Sequence, residues 1–501
     1  MRSVASPPAP GRLVQGLGAL DATMIVAGSM IGSGIFIVPA DLARQLGAPG
    51  WVLVAWALTA ILTLAAALSY GELAAMMPQA GGQYVYLREA YGSLWGFLYG
   101  WTLFLVIQTG TIAAVAVAFA KFLGVLVPAL SETTILAQAG RFSITPTTLV
   151  AIGVLMFLSA SNATGLNTGK WVQNSFTLAK IAALIGLIVL GLAWGANRQA
   201  LDANVGSLWT ATSTTVKDAA SGQVTRIPLA GLALLMALGT AMVGSLFSAD
   251  AWNNITFTAG EVRRPQRNLP LSLVLGVGLV CLLYFLANMA FLATLPLAGS
   301  PLGASSIERG IQFASRDRVA TAVAEVVLGS GGSRVMAILI MVSTFGCLNG
   351  MILAGARVYY AMARDRLFFA AAGRLNRCGV PAYGLFIQCA WAALLTASGT
   401  YGDLLDYVIF AVLVFYVLTI GGLFVLRQRR PDAPRPYRAL GYPVVPALYM
   451  VAASLIALDL LVAERTRQNT WPGLLIVLAG IPVYYLWRRA QPPPPPPETV
   501  S

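Results

Sequence analysis

A chain of 501 residues that is 57% hydrophobic and only 10% charged, with a mean hydropathy of +0.75, lies far outside the range of soluble proteins and reads as a polytopic membrane protein. Its net charge of +13 comes from basic residues scattered over short loops, which reflects topology and excludes a folded basic domain for nucleic acid. With no histidine there is no His-based proton relay, His-ligated metal or His-activated nucleophile, and Cys281, Cys347, Cys378 and Cys389 give no disulfide framework.

Residues 1–14 read as a disordered polar arm without a cleavable signal. About twelve apolar segments follow, each long enough to cross a bilayer, near 20–45, 50–77, 94–126, 146–163, 171–195, 229–257, 271–295, 333–362, 382–400, 404–427, 442–463 and 472–488. The first contains GSMIGSGIF at 28–36, three glycines and two serines in an otherwise apolar stretch. Each glycine disfavours helix by about 1 kcal/mol relative to alanine, so the helix is expected to break here. Unpaired backbone groups inside a membrane must face protein, ligand or a watery cavity, which makes the segment a candidate site. Gly28 and Gly32 also fit a small-residue packing face, and both readings stand at this point.

The second span carries Glu72 in SYGELAAMMP, read either as a proton carrier or as an inter-helix hydrogen-bonding group near the cytoplasmic face. Lys180, in FTLAKIAALIGL, is an ionisable group deep in the fifth span. It is either a fixed cation or proton-exchanging group used in transport, or a structural donor to carbonyls freed by the first break. The sixth span is interrupted at VGSLFSADAWNN, 243–254, and its apolar pattern resumes at Trp252, Ile255 and Phe257. The alternative is a span that ends near Phe247. Asp250 within this break is a second possible proton carrier. In the eighth span the adjacent hydroxyls of Ser343 and Thr344 suit sodium ligation or packing.

The two breaks fall at matching places in consecutive sets of five spans, the pattern of an inverted-repeat transporter. The expected organisation is a first repeat at 15–198, an extracellular loop at 199–228, a second repeat at 229–428, two accessory spans at 429–489, and a Pro-rich cytoplasmic tail at 490–501 with polyproline II at 492–497. The loops at 197–228 and 296–332 are long enough for short outer helices or gate elements. If both termini are cytoplasmic, about nineteen basic residues lie inside against about eleven outside, a positive-inside bias. The expected fold class is an all-α integral membrane protein of the inner (plasma) membrane. The Ala, Gly and Arg richness hints at a GC-rich bacterial source.

At the first break, the amides of Gly32, Ser33 and Gly34 would open a half-helix whose positive end suits a carboxylate. At the second, the carbonyls of Phe247, Ser248 and Ala249 would close a half-helix and suit an ammonium. A site with both ends fits a zwitterionic amino acid. With no His, no G-x-S-x-G and no P-loop, an enzyme is not expected, and a channel would show repeated filter elements instead of two broken helices.

Several stretches together resemble the amino acid–polyamine–organocation superfamily, most closely its L-type amino acid transporter branch. They are IGSGIF at 31–36, SYGELAAMMPQAGGQYVYLREAYG at 69–92, WVQNSFTLAKIAAL at 171–184, AWNNITFTAGEVRRPQRNLP at 251–270, STFGCLNG at 343–350 and GIPVYYLWRR at 480–489. The resemblance implies twelve transmembrane helices in a five-plus-five inverted repeat (LeuT-like) with broken helices 1 and 6 and alternating access. It implies a substrate-binding set of Ile31, Gly32, Ser33 and Gly34, with the carboxylate on Gly32, Ser33 and Gly34, and an amino group on Phe247 with Ser248 and either Ala249 or Asp250, with Phe247 as outer gate. Lys180 is implied in coupling helices 1, 5 and 8, and Ile107, Thr111, Cys347 and Asn349 in the side-chain pocket. Neither a cofactor nor a metal is implied.

Two departures stand out. Where many relatives read Tyr-Asp-Gly-Trp or Tyr-Gly-Gly-Trp, this chain has Ala249, Asp250, Ala251 and Trp252, so a large aromatic is missing and a Cβ replaces a glycine hydrogen. The loop between helices 3 and 4 has no cysteine with which to bind a single-span heavy chain, and no such partner is expected. The expected function is movement of neutral L-amino acids by exchange or proton-coupled symport. The alternatives are a cationic amino acid or polyamine antiporter and a non-transporting amino acid sensor.

Overall fold

The computed structural model describes residues 15–130, 135–139, 142–218, 221–398, 401–463 and 466–489. The expected arm at 1–14 and tail at 490–501 lie outside the described residues. The helices in chain order are α1 (Ala19–Met30), α2 (Gly34–Leu46), α3 (Pro49–Met76), α4 (Gln83–Tyr91), α5 (Ser93–Thr102), α6 (Gln108–Leu126), α7 (Pro146–Ala163), α8 (Leu166–Ala193), α9 (Arg198–Gly206) and α10 (Gly231–Ser248). There follow α11 (Asn254–Phe257), α12 (Pro265–Thr294), α13 (Ser306–Arg309), α14 (Val319–Leu328), α15 (Gly332–Arg364), α16 (Ala382–Ser398), α17 (Tyr401–Arg429), α18 (Val444–Val462) and α19 (Arg467–Arg489). A π-helical turn, Leu103–Ile107, joins α5 to α6 so that 93–126 is one continuous rod.

Among the described residues ten helices are long and apolar enough to cross a membrane, eleven if the bent pair α1–α2 is one span, and the apolar part of α16 is shorter. The chain is a multi-pass membrane protein. Helix starts follow local chemistry: α3, α7 and α12 each begin on a proline, whose missing N–H would have had no partner there. Thr145 caps α7 by accepting from Thr148 N at 3.2 Å.

The expectation of an all-α chain is corrected by two antiparallel hairpins. β1 (Ala137–Ala139) pairs with β2 (Phe142–Ile144), and β3 (Thr212–Asp218) pairs with β4 (Gln223–Pro228), register Thr212 to Pro228. The cause is local: the Thr- and Val-rich runs around 212–227 favour strand, and Gly222 takes the left-handed φ of +65° that the turn requires. The 296–332 loop carries the short helices α13 and α14, and the 197–228 loop carries α9.

The bundle closes around α1, which packs on α8, α12 and α15, while α2 packs on α10. Where the chain enters, Leu17 is clipped to the segment after α11: Leu17 N donates to Glu261 O (3.0 Å) and Arg263 N donates to Leu17 O (2.8 Å). The α4 end of the bundle thus holds the entry of α1, the exit of the second break, and the 430–443 connection. The opposite end holds β3–β4 and the 296–318 segment.

Candidate substrate site

The helix break in the first span is real and its carbonyls are fully occupied. Helix α1 stops at Met30 and α2 begins at Gly34, with a bend of 42° between them. Lys180, buried on α8, donates to Gly28 O (2.6 Å) and Ile31 O (2.8 Å), and also to Ser343 O (3.1 Å) on α15. Ser343 Oγ lies 3.1 Å from both Ile31 O and Gly32 O, Cys347 Sγ donates to Ser29 O (3.0 Å), and Tyr284 OH donates to Met30 O (3.0 Å). Side chains from α8, α12 and α15 therefore satisfy the carbonyls of residues 28–32, as burial in an apolar bundle demands. At the start of α2 the polarity is the opposite, an amide end, where Gly32 N donates to Met30 O (2.9 Å) and Phe36 N to Ser33 O (3.1 Å). Lys180 thus donates to carbonyls that the first break leaves free.

The second break begins where α10 ends at Ser248. Asp250 N donates to Phe247 O (3.2 Å), Ala251 adopts a left-handed φ of +65°, and the chain resumes helix at Asn254. Alanine at a left-handed position is strained relative to glycine, so the surroundings must hold the turn.

The two breaks meet. One cavity is lined by Ser29, Met30, Gly32, Ser33 and Gly34 from the first and by Phe247, Ser248, Asp250 and Ala251 from the second, with Thr111, Val115, Cys347 and Met351 completing its walls. The approach is so close that a Cβ on Gly34 would lie 2.8 Å from Ser248 Cβ and 3.0 Å from Ser248 Cα. Only glycine fits. Gly34→Val is therefore expected to force the breaks apart and weaken substrate binding at least about tenfold, the effect of an overpacking penalty of about 1–3 kcal/mol. Scintillation-proximity binding on purified protein reads this directly, and unchanged affinity would displace the site.

Four of the expected site residues sit elsewhere. The Ile31 carbonyl is engaged by Lys180 and Ser343, and Ile31 does not line the cavity. Asn349 donates to Gly169 O (3.1 Å) and Gln173 Oε1 (3.2 Å) and accepts from Asn162 Nδ2 (2.9 Å), so it ties α15 to α7 and α8. Two residues beyond Cys347 on a helix is about 200° of rotation, which turns it away from the site. Ala249 lines a separate cavity behind the break, with Thr63, Trp252, Tyr416 and Tyr449. Ile107 lines a third cavity toward the α4 end, with Gln83, Gln108, Asn253 and Phe257, while Thr111 is shared between that cavity and the site. Of the hydroxyl pair on α15, Thr344 bonds back to Ile340 O at 2.8 Å and takes no part.

Asp250 lines all three cavities, and Tyr416 OH donates to its Oδ1 at 2.6 Å. Tyr416 and Met351 carried no sequence signal, each being one more apolar or aromatic residue in an apolar span. Gln108, which follows the π turn and donates to Met351 O (2.8 Å), was equally silent.

Polar ties join the elements of the α4 end. Arg357, buried on α15, makes a two-point pair with the buried Glu261, Nε to Oε2 at 3.1 Å and Nη2 to Oε1 at 3.0 Å. Asn253 Nδ2 donates to Gln83 Oε1 (2.9 Å), and Arg88 pairs with Asp365. Glu72 accepts from Arg427 (2.9 and 2.6 Å) and from Ala439 N (2.7 Å), with Arg435 at 3.3 Å. So partnered, Glu72 ties α3 to α17 and to the 430–443 segment. At the opposite end, Arg44 on α2 donates to Asp317 Oδ1 (2.6 Å) and Gln312 O (2.8 Å).

Two broken helices sharing one small cavity call for comparison with known transporters. The family described as amino acid permease matches residues 17–484. The chain belongs to the amino acid permease family. This permease is 28% identical over 474 residues to the serine/threonine exchanger SteT of Bacillus subtilis (strain 168), covering 94% of its own length and 96% of that protein. It is 28% identical to the mouse b(0,+)-type amino acid transporter 1 (94% and 87% covered) and 29% identical to the human large neutral amino acids transporter small subunit 2 (94% and 80% covered). The permease is a membrane transporter of amino acids and not an enzyme.

Proposed function

We propose that the permease carries neutral L-amino acids across the plasma membrane by alternating access, as an exchanger, with both termini in the cytoplasm. The observation that carries this reading is the shared cavity, where the amide end of α2 and the carbonyl end of α10 offer opposite partial charges to a zwitterion. In this reading Gly32, Ser33 and Gly34 hold the carboxylate, Phe247 and Ser248 hold the ammonium, and Phe247 closes the outer side. Thr111, Val115, Cys347 and Met351 would surround the side chain.

Counting α1–α2 as one span and adding α16 gives twelve helices, with the breaks in the first and sixth. That order supports a five-plus-five inverted repeat at 15–198 and 229–428. Exchange without a coupling ion is supported by Lys180, whose ammonium already occupies the junction of α1, α8 and α15. SteT is itself described as an exchanger. The residues between α6 and α7 include no cysteine, so we propose that the permease works without a disulfide-linked heavy chain.

Asp250 favours a second reading, a cationic amino acid whose side chain reaches that carboxylate. Polyamines fit less well, since they lack the carboxylate that the α2 amides would hold. Uptake of radiolabelled serine, threonine, leucine and arginine into proteoliposomes, with and without internal amino acid, tests the proposal. Stimulation of neutral uptake by internal amino acid is the expected result. Preferential arginine uptake would select the second reading, stimulation by a proton gradient alone would make it a symporter, and no flux under any gradient would leave a sensor.

A further inference from the structure

We propose that the groove between the first two turns of α12 and the 430–443 segment is a binding site for a phospholipid with an anionic headgroup. The groove has a volume of about 540 Å³ and is lined by Gln266, Arg267, Pro270, Leu271, Val274 and Tyr437. Its size is in the range of ligand pockets, and its two ends differ in chemistry.

The outer end is basic and has no counter-charge. Arg267 is exposed in the first turn of α12, and Arg264 and Arg438, also exposed, flank the lining residues in sequence. Among the described residues none of these three arginines has an ion pair or a side-chain hydrogen bond. The nearby acids are committed: Glu261 to Arg357, and Glu72 to Arg427 and Arg435. Asp432, exposed, is the only other acid between residues 427 and 443. The N-terminus of α12 adds its own positive potential.

The inner end is apolar and faces outward. Leu271 and Leu275 are 40% and 52% exposed, and with Val274 they continue the groove as an apolar strip along α12. On a membrane-spanning helix such exposed residues meet hydrocarbon. From Arg267 to Val274 is about 10 Å along the helix, the step from a headgroup to its first methylenes. The opposite wall is rigid: the Tyr437 ring lies against Gly71, where a Cβ would come within 2.9 Å of Cε1, and Glu72 fastens the segment behind it through Ala439 N. Inorganic phosphate would use only the basic end, a lipid without phosphate only the apolar one, and phosphatidylcholine sets its own choline ammonium against the arginines. An anionic phospholipid uses both, as basic pockets at the membrane interface do.

The inference depends on α12 spanning the membrane and not on which amino acid is carried. Native mass spectrometry of the delipidated full chain, titrated with dioleoyl phosphatidylglycerol or dioleoyl phosphatidylcholine, tests it. Phosphatidylglycerol should bind at least about tenfold more tightly, and the double variant Arg267→Glu/Arg438→Glu should erase that preference. Val274→Trp, which fills the apolar end and leaves the arginines intact, should abolish the tight adduct. Both variants lie outside the substrate cavity, so retained amino acid binding reports that they are folded. Equal affinity for the two lipids, an unchanged preference in the charge-reversal variant, retained binding in Val274→Trp, or full displacement by inorganic phosphate would each overturn the proposal.

Discussion

Replacing Lys180 with alanine is expected to lower amino acid exchange at least about tenfold in proteoliposomes while leaving the protein monodisperse in detergent. The ammonium donates to Gly28 O, Ile31 O and Ser343 O, and no neighbouring side chain replaces it once it is gone. Loss of even one hydrogen bond to a charged group costs about 1.5–3 kcal/mol, enough for a tenfold effect on a state that needs α1, α8 and α15 in register. Ser343 still reaches Ile31 O and Gly32 O, which is why the break is expected to loosen rather than collapse. Lys180→Arg is a useful companion: its planar fork does not match three carbonyls arranged around a point charge, so flux should stay low. Wild-type flux in the alanine variant would remove Lys180 from the transport cycle.

Glu261→Ala is expected to destabilise the protein by about 3–5 kcal/mol, because it strands the Arg357 guanidinium in the interior with only Leu353 O as partner. Unfolding in mixed micelles of increasing SDS fraction measures this. The double variant Glu261→Leu/Arg357→Met should recover most of the loss, since no charge is then left buried. Recovery of stability without recovery of flux would separate the two tasks of the pair, holding the fold and tying the α4 end. Equal stability of Glu261→Ala and wild type would mean that water reaches Arg357.

Much of this was legible in the sequence because it is written in residue types that are costly where they stand. Glycines at 28, 32 and 34 and a lysine in an apolar span are unfavourable unless the structure uses them, so the first break and its donor could be read directly. The second break was legible for the same reason. Asn349 and Ala249, which the resemblance implied, lie outside the shared cavity: nearness in sequence to Cys347 and Ser248 fixes depth along a helix but not rotation about its axis. The hairpin β3–β4 was missed because its short, polar strands leave no mark in a hydropathy profile dominated by long apolar spans. Tyr416 and the pair Glu261–Arg357 depend on partners 166 and 96 residues away, and such pairings exist only in three dimensions.

The π-helical turn at Leu103–Ile107 gives the α5–α6 rod one residue more than an α-helix of that length would hold. That surplus is a store of rotation. Were the turn to relax into α geometry, everything beyond it would swivel by about 100°, carrying Thr111 and Val115 off the cavity wall and bringing a different set of side chains to it. The turn thereby sets which face of α6, the one bearing Thr111 and Val115, meets the two breaks.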